Sequence, residues 1–295
     1  MKRLRLSVAI PTCGRPDALR ICLDAIARQS RAPDQIIVVD QHPLPETRDL
    51  IGQSGLRIEY FEQERIGVSA SRNLALSVAT GAILATTDDD CFPNAGWLQA
   101  LVDGFDSPAA PDAVTGAILP PPGDPPAGMC ALSLRPSRET RLFATRVDPW
   151  LVGSGGNFAA RTDVLRKLGG WHELLGSGAP GMAGEDIEII DRLLAAGCSI
   201  LYSGDAVTHH AWQTKQRRRA TRWSYGYGIG ALSGQRLRQG DANGWRILAS
   251  YSRMRLRELL RGARRGQWTA VRENITSLGA LGPSLIYGLT NVKAN

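Results

Sequence analysis

The sequence predicts an α/β fold, a mostly parallel sheet flanked by helices, with a basic and mainly helical C-terminal extension. Three observations carry this prediction. Strand-like and helix-like segments alternate through the first hundred residues with short connections, the pattern of a parallel sheet wrapped by helices. Several apparent strand ends carry chemistry-bearing residues, and ligands of such sheets bind beyond the carboxyl ends of the strands. Charge is also divided along the chain: Trp212 to Asn295 holds 16 Lys/Arg against 3 Asp/Glu, so the net +7 of the whole chain leaves residues 1–211 net acidic.

The elements follow in order. "LRLSVAIP" reads as a strand. "PDALRICLDAIARQ" places Leu19, Cys22, Leu23 and Ile26 at helical spacing, with Pro16 suited to the first turn. "QIIVVD" is a continuous β-branched run of the kind buried on both faces. "LRIEYFE" is a third strand, "VSASRNLALSVA" a second helix, "GAILATT" a fourth strand and "AGWLQALVDGF" a further helix. "PPPGDPPAG", residues 120–128, reads as a surface loop. "VGSGGNFAARTDVLRKLGGW" reads as a glycine-rich loop, a short strand and a short helix. "GSGAPGMAGEDIEIIDRLLAAG" combines a flexible loop with a helix opening at Glu185–Asp186 and ending near Gly197, and "SILYSGDAVTHHAW" is a strand ending in two histidines. These segments divide into 1–110, 111–211 and 212–295.

Composition narrows the function classes. Five scattered cysteines without a Cys-x-x-Cys pair favour reduced thiols in a cytoplasmic setting over a disulfide framework or zinc site. The opening "MKRLRLSVAIP" has too few apolar residues before Pro11 for a signal-peptide core. No stretch reaches the roughly 20 apolar residues of a membrane span. The first strand is not followed by G-x-G-x-x-G, which argues against a dinucleotide site.

The candidate site residues lie at strand ends and helix starts. Asp88, Asp89 and Asp90 follow an apolar strand directly. Packed carboxylates there can hold a divalent cation that bridges to substrate phosphates; the alternative is a solvated acidic turn that caps the next helix. The preceding strand and the other loaded ends favour the metal. Asp40 ends "IIVVD" and either accepts hydrogen bonds from a ribose or base or begins an Asx-turn over "QHPLPE". In "ERIGVSASRNLA", Gly67 permits a tight turn, and Arg72 faces either phosphate and base edges or solvent. Glu185 and Asp186 open a helix whose Ile187, Ile190 and Leu194 form a buried stripe. They can supply a general base, although a helix dipole favours acids there in any case. One of His209 and His210 can add a nitrogen ligand to an otherwise oxygen-bound metal.

Taken together, "SVAIPTCGRPDALRICLDAIARQS", "QIIVVD", "RIGVSASRNLALSVATGAILATTDDDCFPNAGWLQALV", "GGNFAARTDVLRKLGGW", "GEDIEIIDRLLAAG" and "DAVTHH" resemble the inverting nucleotide-sugar transferases of glycosyltransferase family 2. The resemblance covers about residues 6–212. It implies a GT-A fold, a Rossmann-like sheet whose residues 1–110 bind the nucleotide sugar and whose residues 111–211 bind the acceptor. Pro11, Thr12 and Arg15 would line the nucleotide pocket, with Gly67 and Arg72 beside it, and Asp40 would hold the base. Asp88 to Asp90 match the D-x-D element, with Asp88 and Asp89 toward the nucleotide sugar and Asp88, Asp90 and His210 toward Mn²⁺ or Mg²⁺. Glu185–Asp186 match an "ED" pair in which Asp186 is the base. "VVDQHP" departs from the family pattern by lacking the second aspartate and the serine that frequently follow this strand.

The implied partners are a nucleoside-diphosphate sugar and a hydroxyl-bearing acceptor: a glycan, a lipid-linked molecule or a small molecule. The arginines of "KQRRRATRW" and "YSRMRLRELLRGARRG" alternate with Trp223, Trp245, Tyr251, Leu256, Leu259 and Leu260. This tail can lie on an anionic membrane surface, placing the protein on the inner face of the membrane, or pack on the catalytic region or a second copy of the chain. No nucleic-acid recognition motif accompanies the charge. Two other functions fit the same residues: a nucleotidyltransferase, and a non-catalytic nucleotide-sugar binder whose tail engages a membrane or nucleic acid.

Overall fold

Runs of β-branched and small apolar residues, buried on both faces, form the middle of the molecule. The computed structural model describes residues 4–291. In chain order the elements are β1 (Leu6–Thr12), α1 (Pro16–Ala27), β2 (Gln35–Asp40), α2 (Pro45–Gln53), β3 (Ile58–Glu62), α3 (Val68–Val78), β4 (Ile83–Thr86), β5 (Cys91–Pro93) and α4 (Trp97–Phe105). There follow β6 (Ala113–Leu119), β7 (Met129–Cys130), β8 (Arg141–Phe143), a 3₁₀ turn (Pro149–Leu151), β9 (Phe158–Arg161), α5 (Thr162–Lys167), α6 (Glu185–Ala195), β10 (Ile200–His210) and β11 (Gln213–Thr214). Four helices complete the fold: α7 (Lys215–Arg238), α8 (Asn243–Arg264), α9 (Trp268–Gly279) and α10 (Leu281–Thr290).

The main sheet runs β3-β2-β1-β4-β9-β6-β10-β5, with β8 also on β10. β1, β2, β3 and β4 are mutually parallel, and β6 is parallel to β10, while β9, β5 and β8 run against their neighbours. The sheet is therefore mixed and mostly parallel, and it continues without a break across residues 110–111. One face is covered by α1 and α4 over Leu6, Val8, Ile10 and Trp97; the other by α3, α5 and α6 over Ile37, Phe158 and Trp171. A third cluster joins Leu175 and Ile187 to Ile229, Leu232, Ile247, Tyr251 and Leu281, docking the C-terminal helices on the α6 side.

Charge reinforces this docking. Asp191 on α6 is fully buried and pairs with Arg146 and with Arg236 of α7; Arg236 also reaches Glu188. Arg246 of α8 pairs with Asp148, and Arg218 and Arg222 of α7 both pair with Glu273 of α9. Buried acids need such partners, because leaving one unpaired is strongly destabilising. The acidic body and the basic tail thus meet through named pairs. α7 also packs closely on α9 and α10, because Gly226, Gly230 and Gly234 present no side chain. A Cβ on Gly226 would overlap the Ser277 carbonyl oxygen, and one on Gly234 would overlap that of Leu285. Among the described residues, no helix is long and apolar enough to cross a membrane.

Candidate active site

The carboxyl ends of β1 and β4 open onto a cleft of about 960 Å³ whose far walls come from the loop before α6, from α7 and from α8. Register explains why distant residues meet there. β1 and β4 are adjacent, so Thr12 and Arg15 stand beside the aspartates. β5 pairs antiparallel with β10, setting His210 opposite Cys91 and therefore next to Asp90. The loop Ser154–Asn157 is pinned to the end of β4: the Thr86 hydroxyl donates to the Gly155 carbonyl (2.9 Å), and that of Thr87 to Gly156 (3.2 Å).

The repulsion among the three aspartates is relieved by arginines. Arg15 donates to Asp89 and to Asp90 (3.0 Å), while the Thr12 hydroxyl donates to Asp89 at 2.7 Å. Arg217 of α7 lies 3.7 Å from Asp90, and Gln213 donates to it at 3.3 Å. Burial pushes the Asp89 carboxyl up to about 6 and outweighs the guanidinium of Arg15 beside it. At Asp90 the balance reverses: burial would raise it, but the charges of His210, Arg15 and Arg217 hold it below the ordinary aspartate value.

Arg72 is not a surface charge. It is 2% exposed and bridges two elements, donating to Asp88 at 2.9 Å and to Glu185 at 3.0 Å. Gly155 makes room for it: a Cβ there would stand 2.8 Å from Arg72 Nη2. Burial and the neighbouring Asp186 push the Glu185 carboxyl up, with Arg72 opposing. Asp186 accepts from the Gly155 N–H (3.1 Å) and the Ile187 N–H (2.8 Å); it feels the charge of Arg72, but the two Arg72 ion pairs go to Asp88 and Glu185. Both acids line the cleft, and Glu185 alone of the two is held in an ion pair with Arg72 among the described residues.

The other expected residues separate. Pro11, Thr12, Arg15, Arg72, Asp88, Asp89, Asp90, Glu185, Asp186 and His210 all line the cleft. Asp40 and Gly67 are not among its lining residues, whereas their neighbours Gln41, Ile66 and Val68 are. Asp40 is fully buried and accepts from the His42 N–H (3.0 Å) and the Tyr60 hydroxyl (2.9 Å), so it holds the turn after β2. Gly67 starts α3 with φ of 147°, a conformation that favours glycine, and its N–H donates to the Gln41 side chain. His209 is held by the Pro120 carbonyl and the Asn94 side chain and stacks on Phe92. His210 instead turns its Nε2 to within 3.7 Å of Asp90. Sequence reasoning did not single out Gly155, Arg135, Trp150, Arg217, Tyr225 or Arg255 as site residues, yet all line the cleft. Arg217 lies in "KQRRRATRW", a run whose charge was visible but whose proximity to Asp90 depends on the turn through β11.

A hard divalent cation fits the donor set. Asp90, Cys91 and His210 offer ligand atoms within 4.8 Å of one another. Cys91 is fully buried, and burial pushes its thiol well above the ordinary range; a hard cation prefers the oxygen and imidazole donors beside it. Asp90 and His210 suit Mn²⁺ or Mg²⁺ as oxygen and imidazole donors; Asp88 lines the same cleft but lies outside this cluster, with Arg72 on its carboxylate.

Residues 7–169 match the family described as Glycosyl transferase family 2. The chain is 26% identical over 211 residues to glycosyltransferase AglE of Haloferax volcanii, covering 70% of this chain and 66% of that protein. It is 28% identical over 231 residues to validoxylamine A glucosyltransferase of Streptomyces hygroscopicus subsp. limoneus, covering 68% and 50%. The chain thus spans from half to just under two thirds of these relatives. Mannosyltransferase PcManGT from Pyrobaculum calidifontis, solved with GDP-Man and Mn²⁺, superposes with a TM-score of 0.65 at 16% identity, covering 99% of this chain and 89% of that one. TarS 1-349 of S. aureus, solved with UDP-GlcNAc, gives 0.61 at 16%, covering 93% and 90%. At such identities the likeness establishes the GT-A fold. With more than half of its length matched, from β1 through α5, the chain belongs to glycosyl transferase family 2.

Proposed function

We propose that the cleft transfers a sugar, with inversion at the anomeric carbon, from a nucleoside-diphosphate sugar to a hydroxyl acceptor in a single displacement. The observation that carries this reading is the division of labour between the two helix-start acids. Glu185 is tied through Arg72 to Asp88, while Asp186, lining the same cleft as the strand-end aspartates, accepts only backbone N–H groups of Gly155 and Ile187 among the described residues. Asp186 takes the proton of the acceptor hydroxyl as that oxygen bonds to the anomeric carbon. The bond from that carbon to the diphosphate oxygen breaks on the opposite side, and its electron pair leaves with the nucleoside diphosphate. Asp88, Asp90 and His210 would hold Mn²⁺ or Mg²⁺, which supplies charge neutralisation for the departing diphosphate. Arg15 and Arg217, already beside Asp89 and Asp90, keep positive charge at that end of the cleft.

The test is a panel of UDP- and GDP-sugars incubated with the full chain and Mn²⁺, with nucleoside diphosphate release as readout. Release that disappears in Asp186→Asn supports the reading. Release of sugar phosphate instead would mean attack at phosphorus and favour a nucleotidyltransferase. Binding without turnover of any donor favours the non-catalytic binder.

A further inference from the structure

The two sides of α8 meet different surroundings. Tyr251, Met254 and Arg255 form part of the cleft wall, and Ile247 and Tyr251 belong to the third apolar cluster. The opposite side is open. At about 3.6 residues per turn, Trp245, Leu256 and Leu260 fall along one line of the helix, and Arg253, Arg257, Arg261 and Arg264 fall along the adjoining line. Trp245 is 59% exposed, Leu256 48% and Leu260 53%, so half of each large apolar side chain stands in water along a single stripe.

The adjoining charge is also unspent. Arg261 pairs with Glu258, but Arg253, Arg257 and Arg264 have no carboxylate partner among the described residues. Arg257, Arg261, Arg264 and Arg265 surround Leu260 in an open hollow of about 390 Å³ that no acid lines. An occupant of this surface must be apolar along one strip and anionic beside it. A second copy of the chain does not meet that description, because α8 set against its own symmetry mate would bring arginine to arginine. Duplex nucleic acid answers the arginines and leaves the leucines in water. An anionic bilayer answers both: phosphate headgroups suit the guanidinium groups, and the boundary beneath them suits leucine and tryptophan.

We propose that the exposed side of α8 docks on an anionic lipid bilayer. Trp245, Leu256 and Leu260 enter the boundary between headgroups and acyl chains, and the arginine-lined hollow holds lipid phosphates. The helix lies on the surface; among the described residues no helix is long and apolar enough to cross it. An α-helix is only about 10 Å across, so docking brings the α8 wall of the cleft to within about one helix width of the bilayer.

The experiment sediments the full chain with vesicles of phosphatidylcholine alone and of phosphatidylcholine mixed with phosphatidylglycerol. Binding to the mixed vesicles is expected to be at least about tenfold tighter, and to weaken in high salt. Replacing Arg253, Arg257 and Arg264 together with glutamine should lower it by about a hundredfold. Leu256→Ser with Leu260→Ser should lower it by about tenfold or more. These side chains lie on the open side of α8, and an unfolding midpoint equal to that of wild type checks each variant. A second readout needs no destabilising change: brominated phosphatidylcholine in the mixed vesicles should quench tryptophan fluorescence, and Trp245→Phe should reduce that quenching. Four results overturn the inference. They are equal binding to the two kinds of vesicle, a glutamine variant that binds as wild type, a serine variant that binds as wild type (a surface for polyanions such as nucleic acid), and quenching unchanged by Trp245→Phe. A dimer that forms without vesicles and is lost in the serine variant would instead assign the face to a second copy and likewise overturn it. Vesicle binding needs neither donor nor turnover, so this inference and the proposed sugar transfer fail separately.

Discussion

Replacing Arg72 with methionine removes a buried guanidinium while keeping most of the side-chain volume. Arg72 is almost fully buried, and its two partners keep limited access to water: the Glu185 side chain is 13% exposed and that of Asp88 31%. Removing one member of a buried charge network costs about 3–5 kcal/mol, because its partners stay behind uncompensated. Here the lower end applies. Burial already pushes the Glu185 carboxyl up, so without Arg72 it takes a proton rather than remain ionised, and the more exposed Asp88 retains water. The expected loss is about 3 kcal/mol in urea unfolding at pH 7. Glu185→Gln removes the stranded acid, so the double variant should be more stable than the sum of the two single changes implies, by about 1 kcal/mol or more. A stability within about 0.5 kcal/mol of wild type, or strictly additive changes, would refute the bridge as an energetic link between β4 and α6.

Three further outcomes follow from the same geometry. Asp186→Asn should lower kcat by about a hundredfold or more while donor affinity stays within about twofold, and an undiminished kcat would remove Asp186 from the base role. Asp90→Ala should abolish most of the gain in nucleoside diphosphate affinity that Mn²⁺ provides, read by calorimetry with and without the ion; an unchanged gain would count against Asp90 as a ligand. Gly226→Ala, whose Cβ would overlap the Ser277 carbonyl, should show a net loss of about 1–2 kcal/mol despite the better helix propensity of alanine. A rise in stability would show that α7 and α9 can separate without penalty.

The alternating half of the fold is legible because each element carries its own period. Leu19, Cys22, Leu23 and Ile26 are all buried in α1, and Pro16 stands in its first turn. Where the period fails, so does the reading. α2 buries only Thr47 and Leu50, too sparse a stripe to announce a helix in "PETRDLIGQ". β6 is a buried strand hidden in "AVTGAIL", where Gly116 is required because a Cβ would overlap the Ala206 carbonyl oxygen of β10. The glycines at 226, 230 and 234 repeat every fourth residue, a visible signal that α7 meets another backbone, but which backbone is a tertiary fact.

At the site, residue type was legible and pairing was not. Three adjacent aspartates imply positive charge among them, and the sequence reading supplied a metal. The structure supplies Arg15, Arg72 and Arg217 as well, and these come from a loop, a helix start and the basic tail. Nothing local says that Arg72 is buried, since its burial depends on Gly155 lying 83 residues away. The choice between His209 and His210 is likewise set by strand alternation on β10: one side chain reaches Asn94 and Pro120, and the next faces Asp90.

The central claim is a single displacement with Asp186 opposite the leaving diphosphate. Proton NMR of a newly formed glycosidic linkage, recorded early in the reaction with whichever UDP- or GDP-sugar of the panel gives product, tests it most directly. The account predicts an anomeric configuration opposite to that of the donor. A product that keeps the donor's configuration would contradict it.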